Sequence, residues 1–147
     1  MAKDLILIVE DNDLQRFVFK EMALKAGVQP HVVGDGYRAI ELFTQNSYVA
    51  IFMDLTLLNM DGLECTRRIR KVEIGTFKHV PIIAITARSG EEARRQCLEA
   101  GMNDFLSKPF SFEQFVQKLE RWRLHVIDPE DDDENEDDEA EREEAGK

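Results

Sequence analysis

The stretch Val49–Met53 is an almost unbroken apolar run that ends on Asp54. A strand with one wet face would alternate apolar and polar residues. A short run without alternation predicts a strand buried on both faces of a parallel sheet. Leu5–Val9 (LILIV) is a second such run, and it too ends in acids: Glu10, Asp11 and then Asp13. Pro30–Val33, Val80–Ile85 and the shorter Asn103–Leu106 complete a set of five strand segments.

Helical patterns fill the intervals. After an Asn12 or Asp13 cap, Leu14, Phe17 and Val18 fall at helical spacing, and Gly27 is placed to stop that helix. Gly34-Asp35-Gly36 is a turn, and Tyr37–Gln45 carries Ala39, Ile40, Leu42 and Phe43. The loop Leu55–Asp61 closes at Gly62, and Leu63–Glu73 reads as a helix with an exposed basic side of Arg67, Arg68, Arg70 and Lys71. Ser89 with Glu92 matches a capping box, predicting a helix over Gly90–Ala100 that stops at Gly101. Ser111 with Gln114 is a second box, followed by Phe112, Phe115, Val116 and Leu119, an amphipathic face read as core rather than as a partner surface. Strand and helix thus alternate five times. That order predicts an α/β domain, a doubly wound five-stranded parallel sheet with helices on both faces and right-handed crossovers.

The net charge of −11 is not spread along the chain. Residues 1–127 hold 17 basic and 17 acidic side chains, whereas residues 128–147 hold 2 and 13. The domain is expected over 1–127, with a disordered acidic tail over 128–147, because Asp128–Glu144, Pro129 apart, has no aromatic and no aliphatic residue larger than alanine to bury. Two roles are open to the tail: a solubilising appendage, or a competitor with partners for the basic clusters on the body. A neutral body excludes nucleic-acid binding driven by net positive charge. Leu5–Val9 is too short for a signal peptide or a membrane span, so a cytoplasmic location is expected by default. Cys65 and Cys97 have no metal-site spacing, fall in expected helices and are read as reduced thiols.

The chemistry gathers where strands end. Open parallel sheets carry their reactive groups at the carboxyl ends of strands. The first strand ends at Glu10 and Asp11, the third at Asp54, the fourth at Thr86, and Lys108 follows the fifth. If these strands lie side by side, three carboxylates, a hydroxyl and an ammonium converge. Carboxylates so close repel one another unless a cation sits among them. Mg²⁺ suits such oxygen ligands. A carboxylate there can also serve as the nucleophile that forms an aspartyl phosphate, with Mg²⁺ and Lys108 offsetting the phosphoryl charge and Thr86 hydrogen-bonding its oxygen.

Over about Lys3–Arg123 the sequence resembles a two-component response-regulator receiver domain. The matching pieces are Glu10-Asp11, Asp54, Met60-Asp61-Gly62, Thr86-Ala87, Gly101 through Asp104, and Lys108-Pro109. The resemblance implies a flavodoxin-like fold with strand order 2-1-3-4-5. It implies that Asp54 accepts a phosphoryl group from a phosphohistidine. Mg²⁺ would be bound by Asp11, Asp54 and the backbone carbonyl of Thr56, with Glu10 helping through water. Thr86 and Lys108 would contact the phosphoryl oxygens, Phe105 would be an aromatic switch, and Lys108-Pro109 would be cis. The implied partners are a histidine kinase or a histidine phosphotransfer protein, and an unidentified effector protein. The chain leaves no room for a DNA-binding output domain, so a stand-alone receiver or one cut from a hybrid kinase is expected. No nucleic-acid partner and no membrane insertion are expected, and the only catalysis expected is of the domain's own phosphorylation and dephosphorylation. The family often has Met-Pro where this chain has Leu57-Leu58, and Phe105 lacks the phenolic hydroxyl of a tyrosine.

Three other readings are weaker. A phosphatase of the haloacid dehalogenase type would need a second Asp two residues beyond Asp54, and Thr56 stands there. A nucleotide-binding enzyme would need a glycine-rich phosphate loop, and Gly34-Asp35-Gly36 is too short and follows the wrong strand. A pseudo-receiver that only binds partners would not need the full set of five site residues.

Overall fold

A computed structural model describes residues 3–123 of the chain. The element order is β1 (Leu5–Val9), α1 (Asp13–Lys25), β2 (Gln29–Val33), α2 (Gly36–Gln45), β3 (Ala50–Asp54), α3 (Gly62–Glu73), β4 (Ile82–Thr86), α4 (Glu91–Ala100), β5 (Asp104–Ser107) and α5 (Phe112–Arg123). The strands form one parallel sheet in the order β2-β1-β3-β4-β5. The acidic tail and its expected disorder lie outside the described residues.

Side chains alternate across a strand, so each buried run feeds two cores. Leu7, Val9, Ile51, Met53, Ile82 and Ala84 point to one face, where Ala39 and Phe43 of α2, Leu63 and Ile69 of α3, and Cys97 of α4 cover them. Ile6, Ile8, Ala50, Phe52, Ile83 and Ile85 point to the other, under Phe19 and Ala23 of α1 and Phe115, Leu119 and Trp122 of α5. Each fully buried large aliphatic or aromatic side chain contributes roughly 1.5–3 kcal/mol of hydrophobic stabilisation. Cys65 and Cys97 are both buried and free. Burial pushes the Cys65 thiol up to about 12 and the Cys97 thiol up to about 11, so neither is a ready nucleophile.

Local signals hold at most element ends. Asn12 caps α1 by accepting the Gln15 N–H, Asp35 caps α2 and Asp61 caps α3. The Ser111–Gln114 box forms in both directions, at 2.8 and 3.1 Å. The Ser89–Glu92 box does not. Gly90, at φ 97°, is the cap residue of α4 and makes no side-chain cap bond, while Glu92 turns to Arg95 and Gln96. β4 starts at Ile82 rather than Val80, because the Val80 N–H is taken by Glu73 Oε2 at 2.6 Å and Pro81 has no N–H to give.

Arg70 also departs from expectation. It is not part of the exposed basic side of α3. Its guanidinium turns inward to the Gly101 carbonyl (2.9 Å), Glu73 (2.7 Å) and Asn103 (2.8 Å), joining α3 to the entry of β5. On the other face of the sheet, at the same entry of β5, Asp104 accepts from Lys118 and from the Trp122 indole N–H, fixing α5 against β5.

Candidate functional site

The chain winds outward in one direction from β1 to β2 and in the other from β3 to β5. A crevice therefore opens between the carboxyl ends of β1 and β3, where strand order reverses. Both ends deliver acids to it. Glu10 is held by its N–H to the Val33 carbonyl, and its Oε2 accepts the Asn12 N–H at 3.1 Å. Asp54 closes β3, almost wholly buried, with Oδ1 accepting the Thr56 N–H at 3.0 Å. Oxygens of Glu10, Asp11 and Asp54 all lie within 4.8 Å of one another.

Lys108 reaches this group from beyond β5. Its ammonium donates to Asp54 Oδ2 at 2.7 Å, to Glu10 Oε1 at 2.5 Å and to Gln15 Oε1 at 2.6 Å. The residue is placed by its N–H, which bonds the Thr86 carbonyl at 2.8 Å, and is followed by a cis bond to Pro109. Burial, with the neighbouring Asp54 carboxylate adding to it against the pull of Lys108, holds Glu10 up at about 7. Burial by itself would depress the Lys108 ammonium, but Asp54 and Glu10 outweigh it and keep its pKa above the ordinary lysine value. Three carboxyl groups against one ammonium leave an excess of negative charge that fits a hard divalent cation with oxygen ligands.

The rest of the site is framed by the loop after β3. Gly62 sits so close to β3 that an added Cβ would lie 2.0 Å from the Asp54 carbonyl oxygen. Only glycine lets the start of α3 pass there. The loop lacks the proline common in the resembling domains, yet it is tied at its middle. Leu58 bridges to Asp35, and the Asn59 amide donates to Asp35 Oδ2 at 3.2 Å, with Asn59 itself in the left-handed region at φ 66°. The Gly34-Asp35-Gly36 turn is thereby structural: it caps α2, anchors this loop and leaves room for the Arg16 guanidinium beside Gly34.

A family model for the response regulator receiver domain matches residues 6–120. The chain belongs to that family. Among solved structures it is similar to the receiver domain of sensor histidine kinase PA1611 from Pseudomonas aeruginosa, which holds a magnesium ion in its active-site cleft. The TM-score is 0.77 at 40% identity, covering 84% of this chain and 100% of that one. Chemotaxis protein CheY4 of Vibrio cholerae has the same fold, with a TM-score of 0.77 at 24% identity over 82% of this chain and 99% of that one. Hybrid signal transduction histidine kinase B of Dictyostelium discoideum is 37% identical over 82% of this chain and 7% of that protein. Transcriptional regulatory protein SrrA of Staphylococcus aureus is 34% identical over 78% of this chain and 45% of that protein. The chain thus spans less than half the length of these curated relatives.

Within this receiver domain, Glu10, Asp11, Asp54 and Lys108 come together as their strand positions predict. Thr86 ends β4 beside them, one residue past the Ile85 that registers with Asp54. Its hydroxyl accepts the Arg88 N–H at 3.0 Å. Thr56 is exposed two residues beyond Asp54. Phe105 lies in β5, half-buried against the core that α2, α3 and α4 cover. Gln15 escaped sequence reasoning although it touches Lys108 directly. Its position in the first turn of the helix that follows Glu10-Asp11 is the signal that could have found it. No helix among the described residues is long and apolar enough to cross a membrane.

Proposed function

We propose that Asp54 accepts a phosphoryl group from the phosphohistidine of a histidine kinase or a histidine phosphotransfer protein, and that the phosphorylated domain signals by binding a protein effector. The observation that carries this reading is the Lys108 ammonium, which bridges Asp54 and Glu10 inside a cluster that also holds Asp11. Asp54 offers a carboxylate nucleophile at the mouth of the crevice. Lys108 is within reach of the oxygens that would gain charge, and the Thr86 hydroxyl, which accepts from Arg88, keeps its own proton to donate. Glu10, Asp11, Asp54 and the Thr56 backbone carbonyl are the groups that would hold Mg²⁺, as the magnesium in the PA1611 receiver supports. Bound there, Mg²⁺ would offset the negative charge of the transferring phosphoryl group.

Mg²⁺ binding is tested by melting. At ten times its Kd a ligand adds about 1.4 kcal/mol to the folded state. For a domain of this size that is a rise of roughly 3–6 °C. Asp11→Ala should remove the rise. Equal Mg²⁺ shifts in the variant and the parent would contradict the cluster as the metal site.

Output is read as a change of surface. Phosphorylation should draw Thr86 toward the phosphoryl oxygens and let Phe105 turn inward, altering the α4–β5–α5 face. Thr86 opens the loop into α4, and Phe105 is next to Ala84 across the β4–β5 pairing, so the two are joined through one pair of strands. Adding beryllofluoride with Mg²⁺ should shift amide resonances of Arg88–Ala100 and Phe105. Shifts confined to the loop around Asp54 would rule the coupling out.

A further inference from the structure

Three groups close on the Lys108 ammonium, and only two of them are carboxylates. The third is the side-chain carbonyl of Gln15, 2.6 Å from Nζ. An ammonium has three protons, so Glu10, Asp54 and Gln15 account for all of them. The lysine also lies over the same helix. Its Nζ is 5.9 Å from the centre of the Phe19 ring, and Phe19 follows Gln15 by one helical turn. Phe19 is stacked in turn on Phe110, 5.0 Å away and two residues beyond Lys108. Gln15 is fixed from behind, because its N–H donates to the Asn12 cap at 2.9 Å.

We propose that Gln15 is a positioning residue that holds Lys108 at the phosphoryl site while its two charged partners change, a role that rests on the phosphoacceptor reading of Asp54. The chemistry separates the three acceptors. In transfer, an Asp54 carboxylate oxygen forms a bond to phosphorus. The bond from phosphorus to the donor breaks, and its electron pair leaves with the donor. The Asp54 carboxyl is then a neutral acyl group, its charge has passed to the departing donor, and the anionic oxygens beside Lys108 are those the phosphoryl group brought with it. The Lys108 proton that Asp54 Oδ2 accepts must turn to one of those oxygens. Glu10 meanwhile is drawn on by the divalent cation. Gln15 is neutral, so neither event alters its attraction for the ammonium. It is a fixed pivot about which Lys108 exchanges one partner for another. A third carboxylate in its place would hold the ammonium harder before transfer and repel an anionic donor. An apolar side chain would let it go.

The test uses the full chain and two substitutions. Gln15→Leu keeps the bulk and the Asn12 cap, which uses only the Gln15 backbone. Gln15→Glu keeps an oxygen acceptor at the same reach but adds charge. One measurement is acylation of Lys108 by acetic anhydride, followed by mass spectrometry with no phosphodonor present. The other is the rate of phosphorylation by acetyl phosphate at saturating Mg²⁺. Gln15→Leu should raise Lys108 acylation several-fold and slow phosphorylation about tenfold, the scale of one lost hydrogen bond to a charged group. Its Mg²⁺ affinity should stay within about twofold of the parent, since no carboxylate of the cluster is removed. Gln15→Glu should protect Lys108 as the parent does and still slow phosphorylation. Unchanged Lys108 reactivity in Gln15→Leu overturns the tether. Raised reactivity with an unchanged phosphorylation rate overturns its part in transfer. A parent that acetyl phosphate never labels overturns the phosphoacceptor reading and this role with it. The two failures differ in whether the parent is labelled.

Discussion

Replacing Asp54 by Asn should leave a folded protein that takes up no phosphoryl group. The amide is close in size to the carboxylate and keeps an oxygen to accept the Thr56 N–H, which the native Oδ1 receives at 3.0 Å. Lys108 retains Glu10 and Gln15 as acceptors. One of the influences that raise the Glu10 carboxyl, the Asp54 charge, is removed. The metal-free variant should therefore melt close to the parent, within about 1 kcal/mol. Its chemistry should nevertheless be gone, because an amide has no anionic oxygen with which to attack phosphorus. The measurement is incorporation of acid-stable, hydroxylamine-labile phosphate from acetyl phosphate with Mg²⁺ present. Labelling of Asp54→Asn at the parental rate would place the acceptor elsewhere.

The second large effect is expected at a residue with no reactive group. An alanine at Gly62 would put its Cβ 2.0 Å from the Asp54 carbonyl oxygen and 2.9 Å from the Leu55 Cα. These are backbone atoms, so no rotamer change relieves the clash. Either the end of β3 or the start of α3 has to move. The strained packing should cost about 2–3 kcal/mol, near the upper end for an inserted methyl group in a close-packed site. For a domain of this size that is a fall in Tm of roughly 10 °C. Phosphorylation should slow as well, since the displaced backbone is that of Asp54 itself. Gly36→Ala is the control. There the added Cβ meets side chains rather than backbone, Met60 Sδ at 3.2 Å and Cβ at 3.3 Å and Cys65 Sγ at 3.5 Å, so the loss should be smaller, about 1 kcal/mol. Equal losses at the two positions would show that the approach to Asp54 is not what constrains Gly62.

Local pattern predicted the elements well where composition speaks for itself. Leu5–Val9 forms β1 with the expected ends, because five apolar residues in a row have no place in this fold but a sheet buried on both faces. Expected ends failed where a side chain had two possible partners. Glu92 had the backbone at Ser89 on one side and Arg95 on the other, and the guanidinium took it. Gln114 carries no charge to be drawn away, and Lys118, one turn on, is engaged by Asp104, so its box formed. Arg70 looked like one more surface cation because its inward partners, Gly101 and Asn103, are 31 and 33 residues away.

What short stretches of the chain made legible is which segments are strands and which polar groups stand at or just past their ends: Glu10, Asp11, Asp54, Thr86 and Lys108. These follow from hydrophobic period and residue type, which are properties of short stretches of chain. The tertiary structure decided what those groups do to one another. Strand order puts β1 beside β3, so that Lys108 bonds Glu10 across 98 residues and Asp54 across 54. The same packing brings Gln15 to the ammonium and presses Gly62 against the Asp54 backbone. None of these contacts is written in one short stretch of chain, although the place of Gln15 in the first turn after Glu10-Asp11 points toward the site. Each depends on which elements the two cores pull together, and only then do distance and burial set the charge and reach of the site.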